Sequence, residues 1–254
     1  MRPLVAEEDC SLALLHRWLP RSPPAIVLTY ANVVPPSWLL GLSAALHSVP
    51  LVLLGYGGLY SGNNRQKAHG ALRAAVVLRQ AWPHTILLVV DAWDTVVVNN
   101  PRHAASRLAG IAERRETLLS SECNSWPLCY RGAFARDPEL ARCLATPGQT
   151  CYVNGGAYAA SPTTAVETLL PAMKAVETRR LLWPERSSDQ ARLTRLRLSR
   201  TRAVRIDSES SLFLNLYASE AVHMYALCIC MHCVHVLSLP QPVRIRGCAY
   251  VCIV

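Results

Sequence analysis

Two acids stand three residues apart in D-A-W-D, Asp91 and Asp94, directly behind the uncharged run T-I-L-L-V-V at residues 85–90. In an open α/β sheet, ligands gather outside the carboxyl ends of the strands. A pair of carboxylates in that place can face one hard cation, Mn2+ or Mg2+, which takes oxygen ligands alongside phosphate oxygens. So held, the cation neutralises charge on a departing diphosphate. The plainer alternative is a pair of Asp side chains satisfying the amides of a turn. An isolated D-x-x-D favours that alternative; the buried strand in front and the β-branched stretch behind, residues 95–98, favour the metal.

A second chemistry has to be weighed. An apolar strand followed by D-x-D-x-T opens the aspartate-nucleophile phosphatases, whose two carboxylates stand two apart and point the same way. Here the spacing is three, which argues against a phosphatase. A further group, Cys228, Cys230, His232, Cys233 and His235, has the residue types of a zinc site. Its C-x-C-x-H-C spacing fits no common zinc module. The same region, residues 221–239, runs 19 residues without Asp, Glu, Lys or Arg, the length of a membrane span. His223, His232 and His235 weigh against a span. The composition shifts so abruptly near residue 218 that the tail also reads as sequence foreign to the fold, as intron read-through or a frameshift would produce.

The elements that must position Asp91 and Asp94 follow from apolar periodicity and breakers. Residues 25–30 (A-I-V-L-T-Y) and 50–54 are expected strands, with a short helix over 37–47 between them and Ser37 as its cap. A Gly/Asn-rich loop, residues 55–64, leads to an amphipathic helix over 66–81, with Ala71, Ala75 and Leu78 on one side and Arg73 nearer the other. Residues 85–90 form a continuous apolar run, the pattern of a strand covered on both faces. Helix over 102–114 and strand over 117–120 are expected next, then a loop region containing Trp126-Pro127. Residues 151–160 read as a strand broken by Gly155-Gly156, and 163–180 and 188–198 as helices. Alternation of this kind to about residue 217 predicts a layered α/β domain, flanked by a Pro-containing leader (1–24) and the tail (218–254).

The chain of 254 residues has 51% hydrophobic and 17% charged residues, enough apolar material for a core, so global disorder is excluded. Its formal charge is +9, and Lys67 and Lys174 are its only lysines. Arginine forks suit phosphate oxygens, although a GC-rich genome also favours Arg and Ala codons. The arginines are scattered and no nucleic-acid-binding motif is present, so no nucleic-acid partner is expected. Cys123, Cys129, Cys143 and Cys151 fall close enough together to hold a disulfide in an oxidising compartment. Glu7, Glu8 and Asp9 stand where a signal peptide carries positive charge, and no secretory signal is visible.

Five segments carry a resemblance. L-L-V-V-D-A-W-D-T-V-V-V, L-S-S-E-C-N-S-W-P, C-Y-V-N-G-G-A, S-D-Q-A-R-L-T-R-L and I-D-S-E-S-S-L-F-L-N-L occur in the order seen in the glycosyltransferase domain of the procollagen lysyl hydroxylase family. Related collagen-type glycosyltransferases are similar too. The resemblance covers about residues 25–217. It implies a GT-A-like (Rossmann-like) fold with a mixed, mostly parallel sheet flanked by helices. It implies transfer of glucose or galactose from a UDP-sugar, with Mn2+ or Mg2+, to a hydroxyl acceptor such as hydroxylysine in a collagen-like protein. Such an enzyme works in the lumen of the endoplasmic reticulum or Golgi. The iron-dependent hydroxylase region of those larger proteins has no counterpart here.

By the same resemblance, Asp91 and Asp94 are the metal-site acids, and Trp93 is an aromatic surface near uracil. Tyr30 and Asn32 fall where the family contacts the nucleotide, and Tyr60 where it has Trp. Lys67 resembles the lysine near the diphosphate. Asp189, with Gln190, matches the family's D-D-Q, placing an acid near donor sugar and acceptor as general base or electrostatic stabiliser. Asn154 stands in the segment equivalent to N-S-G-G. Read without the family, Lys67 is a solvated helix residue and Asp189 a helix cap. The departures are Ser188 in place of an acid, a shortened Asn154-Gly155-Gly156, and no H-x-N-G segment to complete the metal site. A degenerate domain that binds a nucleotide sugar without transferring it is the alternative.

Overall fold

The apolar run before Asp91 is the middle of a six-stranded sheet. A computed structural model describes residues 22–33, 39–56, 65–100, 104–123, 125, 130–169, 188–199, 203–215 and 251–253. The strands of the large sheet are β1 (Ala25–Tyr30), β2 (Leu51–Leu54), β3 (Ile86–Val90), β5 (Thr117–Glu122), β6 (Tyr152–Ala160) and β7 (Val204–Ile206), in the order β2-β1-β3-β6-β5-β7. Pairings β1–β2, β1–β3 and β5–β7 are parallel, whereas β6 is antiparallel to both β3 and β5. Five strands therefore share one direction and put their carboxyl ends along one edge.

Every residue of β3 is buried, and the reason is two-sided packing. Leu87 and Val89 join Ile26 and Leu28 on one face, while Ile86, Leu88 and Val90 join Ala25 and Val27 on the other. The first face is covered by α2 (Arg65–Ala81) through Ala68, Ala71, Ala75 and Leu78, with Arg73 exposed as the amphipathic pattern requires. It is also covered by α7 (Asp189–Ser199) through Leu193 and Leu196. The second face is covered by α1 (Leu39–Leu46) and α3 (Ala105–Glu113) through Leu40, Ala44, Leu108 and Ile111. The expected α/β layering, with a mixed and mostly parallel sheet, is what the chain adopts.

Two expectations need correcting. The region after β5 is not loop alone: it holds α4 (Arg131–Arg136) and α5 (Pro138–Ala145). Asp137 starts α5 by accepting from the amides of Glu139 (3.0 Å) and Leu140 (3.1 Å), with Pro138 in the first turn. This D-P-E start signal is plain in the chain, because an acid cap followed by proline satisfies or removes the free amides of a helix start. Second, Gly155-Gly156 does not break β6. The ladder to β3 runs on, with Asp91 N–H donating to the Gly156 carbonyl at 2.8 Å. Only the ladder to β5 lapses, between Leu119↔Tyr158 and Ser121↔Val153. The glycines bulge the strand rather than end it.

A small sheet, β4-β9-β8, lies beside the large one, made of β4 (Thr95–Val97), β8 (Phe213–Asn215) and β9 (Val251–Ile253). β9 comes from the tail and runs parallel to β4 and antiparallel to β8. Asp207 folds the chain between β7 and β8. Its Oδ1 accepts from Ser211 N–H (2.8 Å), and its Oδ2 accepts from Leu212 N–H (2.7 Å) and Phe213 N–H (2.8 Å). Helix α6 (Pro162–Thr164), capped by Ser161, passes into a wider turn at Ala165–Leu169. Tyr60, Ser37, Trp126-Pro127, Lys174, the bulk of the leader and the His/Cys cluster of the tail lie outside the described residues. Among the described residues no helix is long and apolar enough to cross a membrane.

Candidate functional site

The sheet edge where five strands end brings three segments onto one side chain of a fourth, Lys67. β3 delivers Asp91, the first turn of α2 delivers Lys67, the first residue of α7 is Asp189, and the β6 bulge turns the Gly155 carbonyl inward. Lys67 Nζ donates to Asp91 Oδ1 at 2.7 Å, to the Gly155 carbonyl at 3.0 Å and to Asp189 Oδ2 at 3.4 Å. Its side chain is only 10% exposed, against 42% for Asp91 and 17% for Asp189. Burial alone disfavours an ammonium, but Asp91 and Asp189 outweigh it and drive the Lys67 pKa above its usual value. Lys67 is thus a buried, charged hub and not the solvated helix residue of the plain reading.

Asp94 is held differently. Burial, then the charge of Asp91, push its pKa up to about 6, with Lys67 opposing. Its Oδ1 is buried and makes no hydrogen bond. A buried carboxylate oxygen without a donor is costly, and two mutually repelling acids with hard oxygens are a suitable set for a divalent cation. Asp91 and Asp94 fit the metal that the resemblance implies. Among the described residues no group of three or more His, Cys, Asp or Glu side chains is gathered for one ion. Between the two acids Trp93 stands 61% exposed, an uncovered aromatic surface on the same turn.

Gln190 and Asn154 shape the site from behind. Gln190 Nε2 donates to the Val153 carbonyl at 2.8 Å and to Glu122 Oε1, tying α7 to the ends of β5 and β6. Asn154 is buried, and its Oδ1 accepts from Gly156 N–H at 2.6 Å, which holds the bulge in shape. Asp189 Oδ1 accepts from Gln190 N–H at 2.8 Å, while Ser188 Oγ accepts from Ala191 N–H at 3.3 Å. Ser188 therefore takes the capping role, and the second Asp189 oxygen is turned to Lys67. Tyr30 ends the neighbouring strand β1 and Asn32 lies two residues beyond it, both partly buried. The Tyr30 ring lies so close to Gly55 that a Cβ there would come within 2.2 Å of it, and Gly55 has φ +76°.

Three residues of the site were given no role by sequence reasoning. Glu122 ends β5, and its pKa is pushed up to about 7 by burial, with the Gln190 hydrogen bond pulling the other way. Tyr158 is buried in the field of Lys67 and Asp189, and burial raises its pKa. Gly155 permits the close approach of α7, since a Cβ there would lie 2.7 Å from Gln190 Cβ and 2.9 Å from its Cα and N. The signals were present: L-S-S-E puts an acid at a strand end, and Gly-Gly inside an apolar strand marks a close backbone approach. Scanned against protein-family models the chain matches none, and a search of curated proteins returns no match.

Proposed function

We propose that the chain is a metal-dependent glycosyltransferase of GT-A-like fold that moves glucose or galactose from a UDP-sugar to a hydroxyl acceptor, collagen-type hydroxylysine being the class its motifs resemble. The observation that carries the reading is the convergence of Lys67, Asp91, Asp189 and the Gly155 carbonyl beside an Asp94 oxygen that has no donor. Asp91, through the oxygen not held by Lys67, and Asp94 would hold Mn2+ or Mg2+. The ion's contribution is neutralisation of the diphosphate charge.

The remaining work falls to the chain's own residues. Lys67 ties the carboxylates of Asp91 and Asp189 to one ammonium, and adds positive potential for an anionic diphosphate. Trp93 offers its face to the uracil ring, because bases stack on aromatic surfaces whatever their edge pattern. Asp189 takes up the acceptor hydroxyl proton or stabilises developing positive charge. The Cys143–Cys151 disulfide supports an oxidising lumen as the place of work.

The test is UDP release from UDP-glucose and UDP-galactose with Mn2+, in the chain and in Asp91→Ala and Asp94→Ala. Loss of at least about 100-fold is expected when either acid is removed, the scale of losing a transition-state electrostatic group. Equal turnover in the variants would sink the metal assignment. A second reading, a nucleotide-sugar-binding domain without transfer, is favoured by one observation: the two acids have no third protein ligand among the described residues. UDP binding without turnover on a collagen-like acceptor would select it.

A further inference from the structure

Asp94 stands directly before β4, and β4 belongs to the small sheet rather than the large one. Its Oδ1 has no hydrogen bond to hold it, so the place of that oxygen is set by the backbone it hangs from. At the far end of β4, Val97 N–H donates to Ser43 Oγ at 3.0 Å and fixes the strand to α1. Along its whole length the ladder runs to β9, as Thr95↔Val251, Val96↔Cys252 and Val97↔Ile253. Among the described residues β9 is the only strand paired with β4.

On its other side β9 pairs with β8, as Phe213↔Ile253, Leu214↔Cys252 and Asn215↔Val251. β8 is firmly seated: Phe213 is fully buried, and its N–H donates to Asp207 Oδ2 at 2.8 Å. In the order β4-β9-β8 the outer strands stand two ladder spacings apart, about 9–10 Å. Neither can reach the other with a hydrogen bond, and β9 fills the slot between them.

We propose that β9 (Val251–Ile253) is a positioning strand for the metal site. It couples the backbone behind Asp94 to the Asp207-anchored β8, and so holds the Asp94 carboxylate beside Asp91 for a divalent cation. This inference rests on the metal reading of those two acids. Groups that orient a metal ligand without touching the ion are worth about 10–100-fold in affinity. Such coupling is reciprocal: an ion that binds better when β9 is docked must keep β9 docked by the same factor. The tail, foreign to the fold by its composition, thereby has a part in the site.

The experiment uses the full chain and Mn2+ alone, with free ion followed by electron paramagnetic resonance and amide exchange by mass spectrometry. In the wild type, saturating Mn2+ should slow exchange of the β9 amides by about 10–100-fold, and those of β7 (Val204–Ile206), outside the small sheet, by less. Cys252→Pro removes a ladder amide from the middle of the central strand and should weaken Mn2+ binding by the same factor. Cys252→Val keeps the amide and should bind as the wild type does. Exchange in β9 that Mn2+ leaves unchanged, or slows no more than in β7, overturns the proposal whether or not Cys252→Pro folds. A wild type that takes up no Mn2+ removes the metal reading and this inference together. Mn2+ bound by the wild type and lost in Asp94→Ala, with β9 exchange unmoved, removes this inference alone.

Discussion

Adding one methyl group at Gly155 should pull the site apart from the helix side. A Cβ built there sits 2.7 Å from Gln190 Cβ and 2.9 Å from the Gln190 backbone. Ordinary carbon–carbon contact is about 3.5–4.0 Å, so α7 must retreat by about 0.8–1 Å. No side-chain rotation relieves a clash with backbone, and α7 is packed through Ala191, Leu193 and Leu196, each 2% exposed or less. Overpacking of this kind costs about 1–3 kcal/mol. In a chain of this size that lowers Tm by about 2–12 °C. The Lys67–Asp189 contact, already 3.4 Å, then lengthens past the roughly 4 Å limit of an ion pair, while Lys67–Asp91 at 2.7 Å has no reason to change. Thermal unfolding of Gly155→Ala beside Gly132→Ala tests this. At Gly132, inside α4, a Cβ would meet only the flexible Arg136 end at 3.6 Å, so alanine should stabilise by about 0.5–1 kcal/mol. If Gly155→Ala melts with the wild type, α7 is not seated on the bulge as described.

Two further outcomes follow from buried carboxylates. Glu122 has a folded pKa of about 7 against 4.5, so between those values the folded state binds more protons than the unfolded one. Its contribution to stability is therefore intact below about pH 4.5, falls as pH rises towards 7, and is flat above. Because Glu122 is partly exposed, the loss is discounted to about 1–2 kcal/mol; Glu122→Gln should flatten that part of a urea-midpoint profile, and an unchanged slope would rule the burial out as its cause. Asp207→Ala strands the amides of Ser211, Leu212 and Phe213. At about 1–3 kcal/mol for each stranded group, discounted for the amides that regain water, a loss of about 3–5 kcal/mol in denaturant unfolding is expected. A loss below 1 kcal/mol would mean that the turn does not need the carboxylate.

What the chain disclosed beforehand was local. Residues 85–90 announced β3, and Ala71, Ala75 and Leu78 announced the buried side of α2, because one-dimensional apolar periodicity maps directly onto burial. Asp91 at a strand end was legible for the same reason. The reversal of β6 was not: its partners, β3 and β5, are chosen by non-local pairing that no short window contains. Gly155-Gly156 reads locally as a break because glycine weakens a strand, whereas Gly155 acts sterically and through Gln190, far along the chain. Lys67 was unreadable as a buried residue, since a lysine near a helix start is usually solvated. Only the arrival of Asp91 and Asp189 makes its burial affordable.

That lysine also puts a clock on biosynthesis. Its two carboxylates are contributed 24 and 122 residues later in the chain. Until the second emerges, closing α2 onto the sheet would bury an ammonium with half of its compensation missing. At about 5–20 residues per second, translation spends roughly 6–24 s between Lys67 and Asp189. For that interval the nascent first half has the strands β1, β2 and β3 but no reason to shut, and its apolar sheet face is a natural client for whatever binds unfolded chains. Closure of α2 onto the sheet and completion of the Lys67 site are then one event.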